Sequence, residues 1–167
     1  FTFLVNPSAD QFLTLDSLPH FEQDILHFCS LALVSKECRN TLASAITKVK
    51  GQGGLLSFDV NLREQMWSDR EQMFTIIHQF ASQADILKLS EEEWYWLAGT
   101  HDFAKAIDVL HSIPSKLKVV TYGAQGSMVL WQNQVIHFNG YAVNSVDTTG
   151  AGDAFMAGLL AGIAKNN

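Results

Sequence analysis

The sequence predicts an α/β fold, a mostly parallel sheet with helices on both faces. Two observations predict it. Short apolar runs alternate with segments whose apolar residues recur at i, i+3, i+4 and i+7. Such alternation argues for strands buried on both sides by helices. The composition agrees: 47% of the 167 residues are hydrophobic and 17% are charged, enough apolar surface for one domain with a substantial core.

The residues 1–5, Phe-Thr-Phe-Leu-Val, are strand-like, but Asn6-Pro7-Ser8 follows, so an edge strand and a separate flap both fit. The apolar run His27 to Val34 reads as a buried strand. A helix follows with Cys38, Leu42, Ala45, Ile46 and Val49 on one face, stopped by Gly51, Gly53 and Gly54. Leu55 to Phe58 is a second strand. Met73, Ile76, Ile77 and Phe80 mark a second helix. Asp85 to Leu89 is a third strand. A third helix runs from Ser90 to near Gly99, and a fourth carries Phe103, Ala106, Ile107 and Leu110. Leu117 to Thr121 is a further strand. Ser127 to Trp131 and Val135 to Phe138 flank a short turn and read as a hairpin. The last helix runs from near Ala151 to about Lys165.

The formal net charge of -6 argues against general affinity for nucleic acid or anionic lipid. No apolar run is long enough for a membrane span, and no signal-peptide pattern opens the chain. The absence of an initiator Met and the strand-like opening suggest a start inside a larger protein. Cys29 and Cys38 read as free thiols in a reducing compartment. Six histidines show no metal-ligand spacing.

Polar clusters gather where an open parallel sheet binds ligands, beyond the carboxyl ends of its strands. They are Asp59 to Arg63, Lys88 to Ser90, Thr121 to Gly126 and Asp147 to Asp153. In the last of these, Gly150-Ala151-Gly152 opens an apolar helix and Asp153 follows. Backbone N–H groups at a helix start hold anions, and a nearby carboxylate takes a proton. That pairing suits phosphoryl transfer to a hydroxyl.

Each cluster also has a plain structural reading. Ser90 and Glu93 fit a capping box, and on spacing alone that outweighs a metal or water role for Glu93. Gly123 and Gly126 fit turn shaping and phosphate binding equally. Asn61 fits a turn. Arg63 suits an anion at the rim or a surface salt bridge. Asp153 stabilises a first helical turn without any chemistry. Trp94-Tyr95-Trp96 fits packing better than base stacking.

Taken together, the segment Asp147-Thr148-Thr149-Gly150-Ala151-Gly152-Asp153-Ala154-Phe155 resembles the C-terminal signature of the pfkB family of carbohydrate kinases. Phe58-Asp59-Val60-Asn61-Leu62-Arg63 and Lys88-Leu89-Ser90-Glu91-Glu92-Glu93-Trp94 are similar to segments of its bacterial fructokinases and aminoimidazole riboside kinases. The likeness covers essentially the whole chain. It implies a three-layer ribokinase-like, Rossmann-like sheet, incomplete at both ends. Residues 1–10 would be a remnant of a lid or edge-strand region, and 11–167 a partial nucleotide-side domain.

The resemblance implies Asp153 as catalytic base, with Gly150, Ala151 and Gly152 as anion hole. Thr121, Gly123 and Gly126 would line the ATP site. Asn61, Lys88 and Glu93 would lie near the phosphates and the magnesium shell, Glu93 acting through water, with Arg63 assisting. Asp147 and the Thr149 carbonyl would serve a monovalent cation such as K+. Ser90 stands where the family often has Asn, as in fructokinase-like members. The implied protein is a cytoplasmic kinase acting on a small sugar, a homodimer when intact. The sugar contacts would lie outside this chain, and the isolated chain would be inactive and prone to self-association. A second reading is a non-catalytic nucleotide-binding fragment. A dinucleotide oxidoreductase is disfavoured, because no Gly-x-Gly-x-x-Gly follows the first strand.

Overall fold

A computed structural model describes residues 9–132 and 134–166. The strand-or-flap expectation for residues 1–5 lies outside the described residues. In chain order the elements are β1 (Ile25–Cys29), α1 (Lys36–Gly51), β2 (Leu55–Asp59), α2 (Arg70–Ala81), β3 (Ile86–Ser90), α3 (Glu91–Ala98), α4 (Phe103–Ser112), β4 (Leu117–Thr121), β5 (Gly126–Trp131), β6 (Gln134–Asn139) and α5 (Ala151–Asn166). The strands form one sheet in the order β1-β2-β3-β4-β5-β6. The first four are parallel, and β5 and β6 add an antiparallel hairpin.

Sequential order fixes where the helices go. Right-handed crossovers stepping in one direction put α1 to α4 on the same side of the sheet. Their stripes meet the alternate residues of the strands there. Leu42, Ile46 and Val49 of α1, Met73, Ile77 and Phe80 of α2, and Trp94 and Leu97 of α3 share one core with Phe28, Leu56, Phe58, Leu87 and Leu89. Phe28 stacks on Phe58 at 4.9 Å and meets Phe80 edge-on at 6.0 Å. Trp94 is buried, and its indole N–H donates to the Ala106 carbonyl at 3.0 Å. That makes it a packing residue.

Strand residues alternate sides. His27, Cys29, Ser57, Asp59, Ile86 and Lys88 therefore face away from α1 to α4. The start of α5 sits on that second face, since a Cβ built at Gly152 would lie 3.4 Å from Lys88 Nζ. Met156 is the buried apolar anchor of α5. Helices thus occupy both faces, as the sequence predicts.

The helix starts are locally coded. Ser35, Asp69, Ser90 and Asp102 are the N-caps of α1 to α4, each accepting from a backbone N–H of the first turn. Gly99 ends α3 in the left-handed region at φ 65°.

One expectation is corrected. The run 27–34 is not a single strand: β1 ends at Cys29, and Ser30–Leu33 form a 3-10 turn. Cys29 is level with Asp59 at the end of β2, so the ladder has run out of partner. The Ser30 hydroxyl instead donates to the Asn61 carbonyl at 3.0 Å, while Leu33 enters the core. Neither Cys29 nor Cys38 is in a disulfide. No helix among the described residues is long and apolar enough to cross a membrane.

Candidate phosphoryl-transfer site

The register of the parallel strands brings Cys29, Asp59 and Lys88 into adjacent positions at the carboxyl rim. Cys29 pairs with Asp59, and Asp59 pairs with Lys88. The Lys88 ammonium donates to both Asp59 oxygens, at 3.0 and 3.1 Å. Asp59 is 2% exposed and Lys88 6%. A buried ion pair of this kind fixes both side chains, because either charge alone would be costly there. Burial pushes the Asp59 carboxyl above its ordinary value, against the pull of Lys88. Burial also raises the Cys29 thiol, and the charges of Asp59 and Asp153 add to this. Both effects disfavour the thiolate form of Cys29.

The loop after β2 is clamped onto α3. One Glu93 oxygen accepts the Leu62 N–H at 2.7 Å, and the other accepts the Ser90 N–H at 2.7 Å. The Ser90 hydroxyl accepts the Glu93 N–H, closing a capping box. Glu93 thus has the structural role its spacing suggests, with one lone pair per oxygen left over. Asn61 is held at φ 37°, a left-handed conformation that Asn tolerates better than most residues. Arg63 donates to the Leu62 carbonyl at 2.8 Å. Asn61, Arg63, Lys88 and Glu93, with Glu92 and Trp96, line one open cleft of about 540 Å³.

The start of α5 borders this cleft through Lys88. Asp147 accepts the Thr149 N–H at 2.8 Å, and that bond holds its carboxyl below the ordinary value. Gly150 follows at φ 75°. Ala151 N–H turns back onto the Thr148 carbonyl at 3.1 Å. The N–H groups of Gly152 and Asp153 donate to no partner among the described residues. These are the open donors of a helix N-terminus, next to an ammonium and an exposed carboxylate, Asp153.

Thr121, Gly123 and Gly126 lie further along the rim and do not line the cleft. Thr121 is paired with Ser90 across the ladder, and its hydroxyl donates to the Leu89 carbonyl at 3.3 Å. Gly123 has φ 56° with open space around it. Gly126 has φ 113°, and a Cβ there would overlap the carbonyl oxygen of Phe138. Gly126 is thus demanded by backbone packing, whatever it does for a ligand.

Asp59 opens one of the polar clusters read from the sequence but was given no role of its own there. Its signal was present: a strand-final carboxylate opposite a strand-final lysine. Only the register shows that the two meet.

Among the described residues, no group of His, Cys, Asp or Glu is arranged to hold a metal ion by itself. Magnesium commonly keeps several waters and rides on substrate phosphates. That mode asks the protein only for acceptors, and each Glu93 oxygen keeps one lone pair beyond its backbone bond.

The sequence matches the family described as pfkB family carbohydrate kinase over residues 1–167. It is 43% identical over 167 residues to a fructokinase of Escherichia coli, covering 99% of this chain and 54% of that protein. It is 33% identical over 168 residues to an aminoimidazole riboside kinase of Salmonella typhimurium, covering 100% of this chain and 53% of that protein. Among solved structures, it is similar to a fructokinase from Vibrio cholerae O395 in a form binding fructose, ADP and calcium ion. That match has a TM-score of 0.90 and 43% identity, and covers 96% of this chain and 52% of the other. The chain spans about half the length of the relatives it matches.

Proposed function

Because the chain belongs to the pfkB family of carbohydrate kinases, we propose that it supplies the phosphoryl-transfer side of an ATP-dependent fructokinase. The observation that carries this reading is the rim at Lys88. A buried ammonium, pinned by Asp59, stands beside the open N–H groups of Gly152 and Asp153.

In this reading the γ-phosphoryl group of ATP rests against the start of α5. The Asp153 carboxylate accepts the proton of a sugar primary hydroxyl. The sugar oxygen bonds to the γ-phosphorus, the bond to the β-phosphate bridge breaks, and ADP leaves. Gly150 gives the turn its left-handed shape, and the N–H groups at Ala151, Gly152 and Asp153 face the charge that develops on the transferring group. Ala151 must release Thr148 to take part. Lys88 steadies the phosphates as a fixed point charge, and most of the remaining catalysis is positioning. Asn61 and Glu93 would face the waters of a magnesium ion carried by the nucleotide, which would supply neutralisation of phosphate charge, and Arg63 would assist at the cleft mouth. Thr121, Gly123 and Gly126 border the nucleotide. Asp147 and the Thr149 carbonyl offer oxygens to a monovalent cation such as K+.

Fructose is the first acceptor to test, on the strength of the fructokinase relatives, and aminoimidazole riboside the second. A cytoplasmic homodimer is the expected setting of the whole protein. The competing reading, a nucleotide-binding segment without turnover, is separated by assay. In the whole protein, Asp153→Asn should lose nearly all phosphorylation of fructose while keeping its affinity for ATP-magnesium. Near-normal turnover in that variant would remove Asp153 as the base.

A further inference from the structure

Among the described residues the sheet ends in β1 on one side and β6 on the other. β6 is exposed at every position, Gln134–Asn139. Edge strands are commonly guarded by lysine, proline or a bulge, because open backbone groups recruit other strands. β6 has none of these guards. Its sequence, Gln-Val-Ile-His-Phe-Asn, holds no Lys, Arg, Asp, Glu or Pro. Its ladder with β5 runs without interruption from the Gly126–Asn139 pair to the Trp131–Gln134 pair.

The phase of that ladder fixes which backbone groups are open. The Gly140 N–H donates to the Gln125 carbonyl at 3.1 Å, so these two residues form a hydrogen-bonded pair. Such pairs alternate along an antiparallel ladder. Gln134, Ile136 and Phe138 therefore direct their backbone bonds to β5, whereas the N–H and C=O groups of Val135, His137 and Asn139 point to the free edge. The side chains of Ile136 and Phe138 share one face of the sheet, and both are exposed. Charge decides what this edge can meet. The net charge is -6, so two copies of the chain repel over most approaches. From Val119 to Val146 there is no Asp, Glu, Lys or Arg, and β5, β6 and the loop after them lie inside that stretch. Here one copy meets another without like charges facing, and a charged partner of another kind finds nothing to pair with.

We propose that β6 is an interface for a second copy of this chain, the two strands running antiparallel about a twofold axis at His137. In this register His137 pairs with itself across the axis, Val135 with Asn139, and Ile136 with Phe138. The open donors and acceptors of Val135, His137 and Asn139 then all find partners. On one face each Ile136 packs against a Phe138 ring, a favourable cross-strand combination. Moving the axis to Ile136 leaves Asn139 without a partner and sets Phe138 against Gln134. The twofold arrangement closes at the dimer, whereas β6 of one copy on β1 of the next continues into an open chain. β4 and β5 separate β6 from Lys88, and the pairing does not depend on the phosphoryl-transfer reading.

The test is sedimentation velocity of the chain over a dilution series, with amide hydrogen exchange by NMR beside it. Monomer and dimer should appear, and nothing larger. Exchange at Val135, His137 and Asn139 should slow as the dimer fills, while Ile136 and Phe138 stay protected throughout. His137→Glu and His137→Lys each place like charges opposite one another at the axis. Each should weaken the dimer by about fivefold or more. An equimolar mixture of the two should recover it, which also shows that both variants fold. A parent that stays monomeric at submillimolar concentration, growth beyond the dimer, edge amides whose exchange ignores concentration, or a mixture no tighter than its components would overturn the proposal.

Discussion

Asp59 and Lys88 illustrate how a single pair of side chains can serve position rather than stability. Their bonds are short and their exposure is slight, yet burying two charges costs about what their attraction returns. Removing one partner is a different matter, because the survivor is stranded. Asp59→Ala is expected to cost about 3 kcal/mol or more, whereas the double change Asp59→Leu with Lys88→Met should be close to neutral. Urea midpoints of the three chains measure this, and equal losses in the single and double variants would refute it. The pH dependence follows from the sign of the Asp59 shift. Its folded pKa is raised above 3.8, so the folded state holds the proton more tightly than the unfolded one. The contribution is present below the unfolded value and lost as pH rises through the folded value. Without the opposing charge of Lys88 the shift grows. Lys88→Met should therefore lose stability as pH climbs from about 4, more steeply than the parent. A flat profile for that variant would mean Asp59 is not desolvated.

At the scale of elements, legibility in the sequence divides along local and non-local lines. The caps of α1 to α4 and their apolar stripes are coded within a turn or two, and Ser90 with Glu93 forms the capping box its spacing suggests. The end of β1 is not local. The apolar run continues to Val34, but the strand stops where β2 stops, and Ser30 finds its partner 31 residues away. The Asp59–Lys88 pair was hidden for the same reason, since 29 residues separate its members. The two glycines that follow β4, Gly123 and Gly126, show a similar split. Both have positive φ, yet only Gly126 meets a neighbouring backbone. Gly123→Ala should cost about 1 kcal/mol for its left-handed backbone alone. Gly126→Ala should cost clearly more, because Phe138 and Gly140 would have to move and the β5–β6 hairpin with them. Thermal melts rank the two. An equal cost would mean that the hairpin base yields freely.

The whole molecule separates two kinds of surface. The carboxyl rim of the sheet carries the open helix start of α5, the Lys88 ammonium and the cleft of Asn61, Arg63 and Glu93. The outer strand β6 is exposed along its length, with Val135, Ile136 and Phe138 on the surface. Such an edge favours self-association. What the fold assembles from distant segments at that rim is a buried ammonium beside open backbone N–H donors, in a chain that spans about half the length of its kinase relatives. The most direct test is amide chemical-shift mapping of the chain as ADP with magnesium is added. The account predicts that the largest changes fall on residues 150–153, 61–63 and 88–90, and that Lys88→Met abolishes them. Changes centred instead on residues 111–118 and 130–132, or none at all, would contradict it.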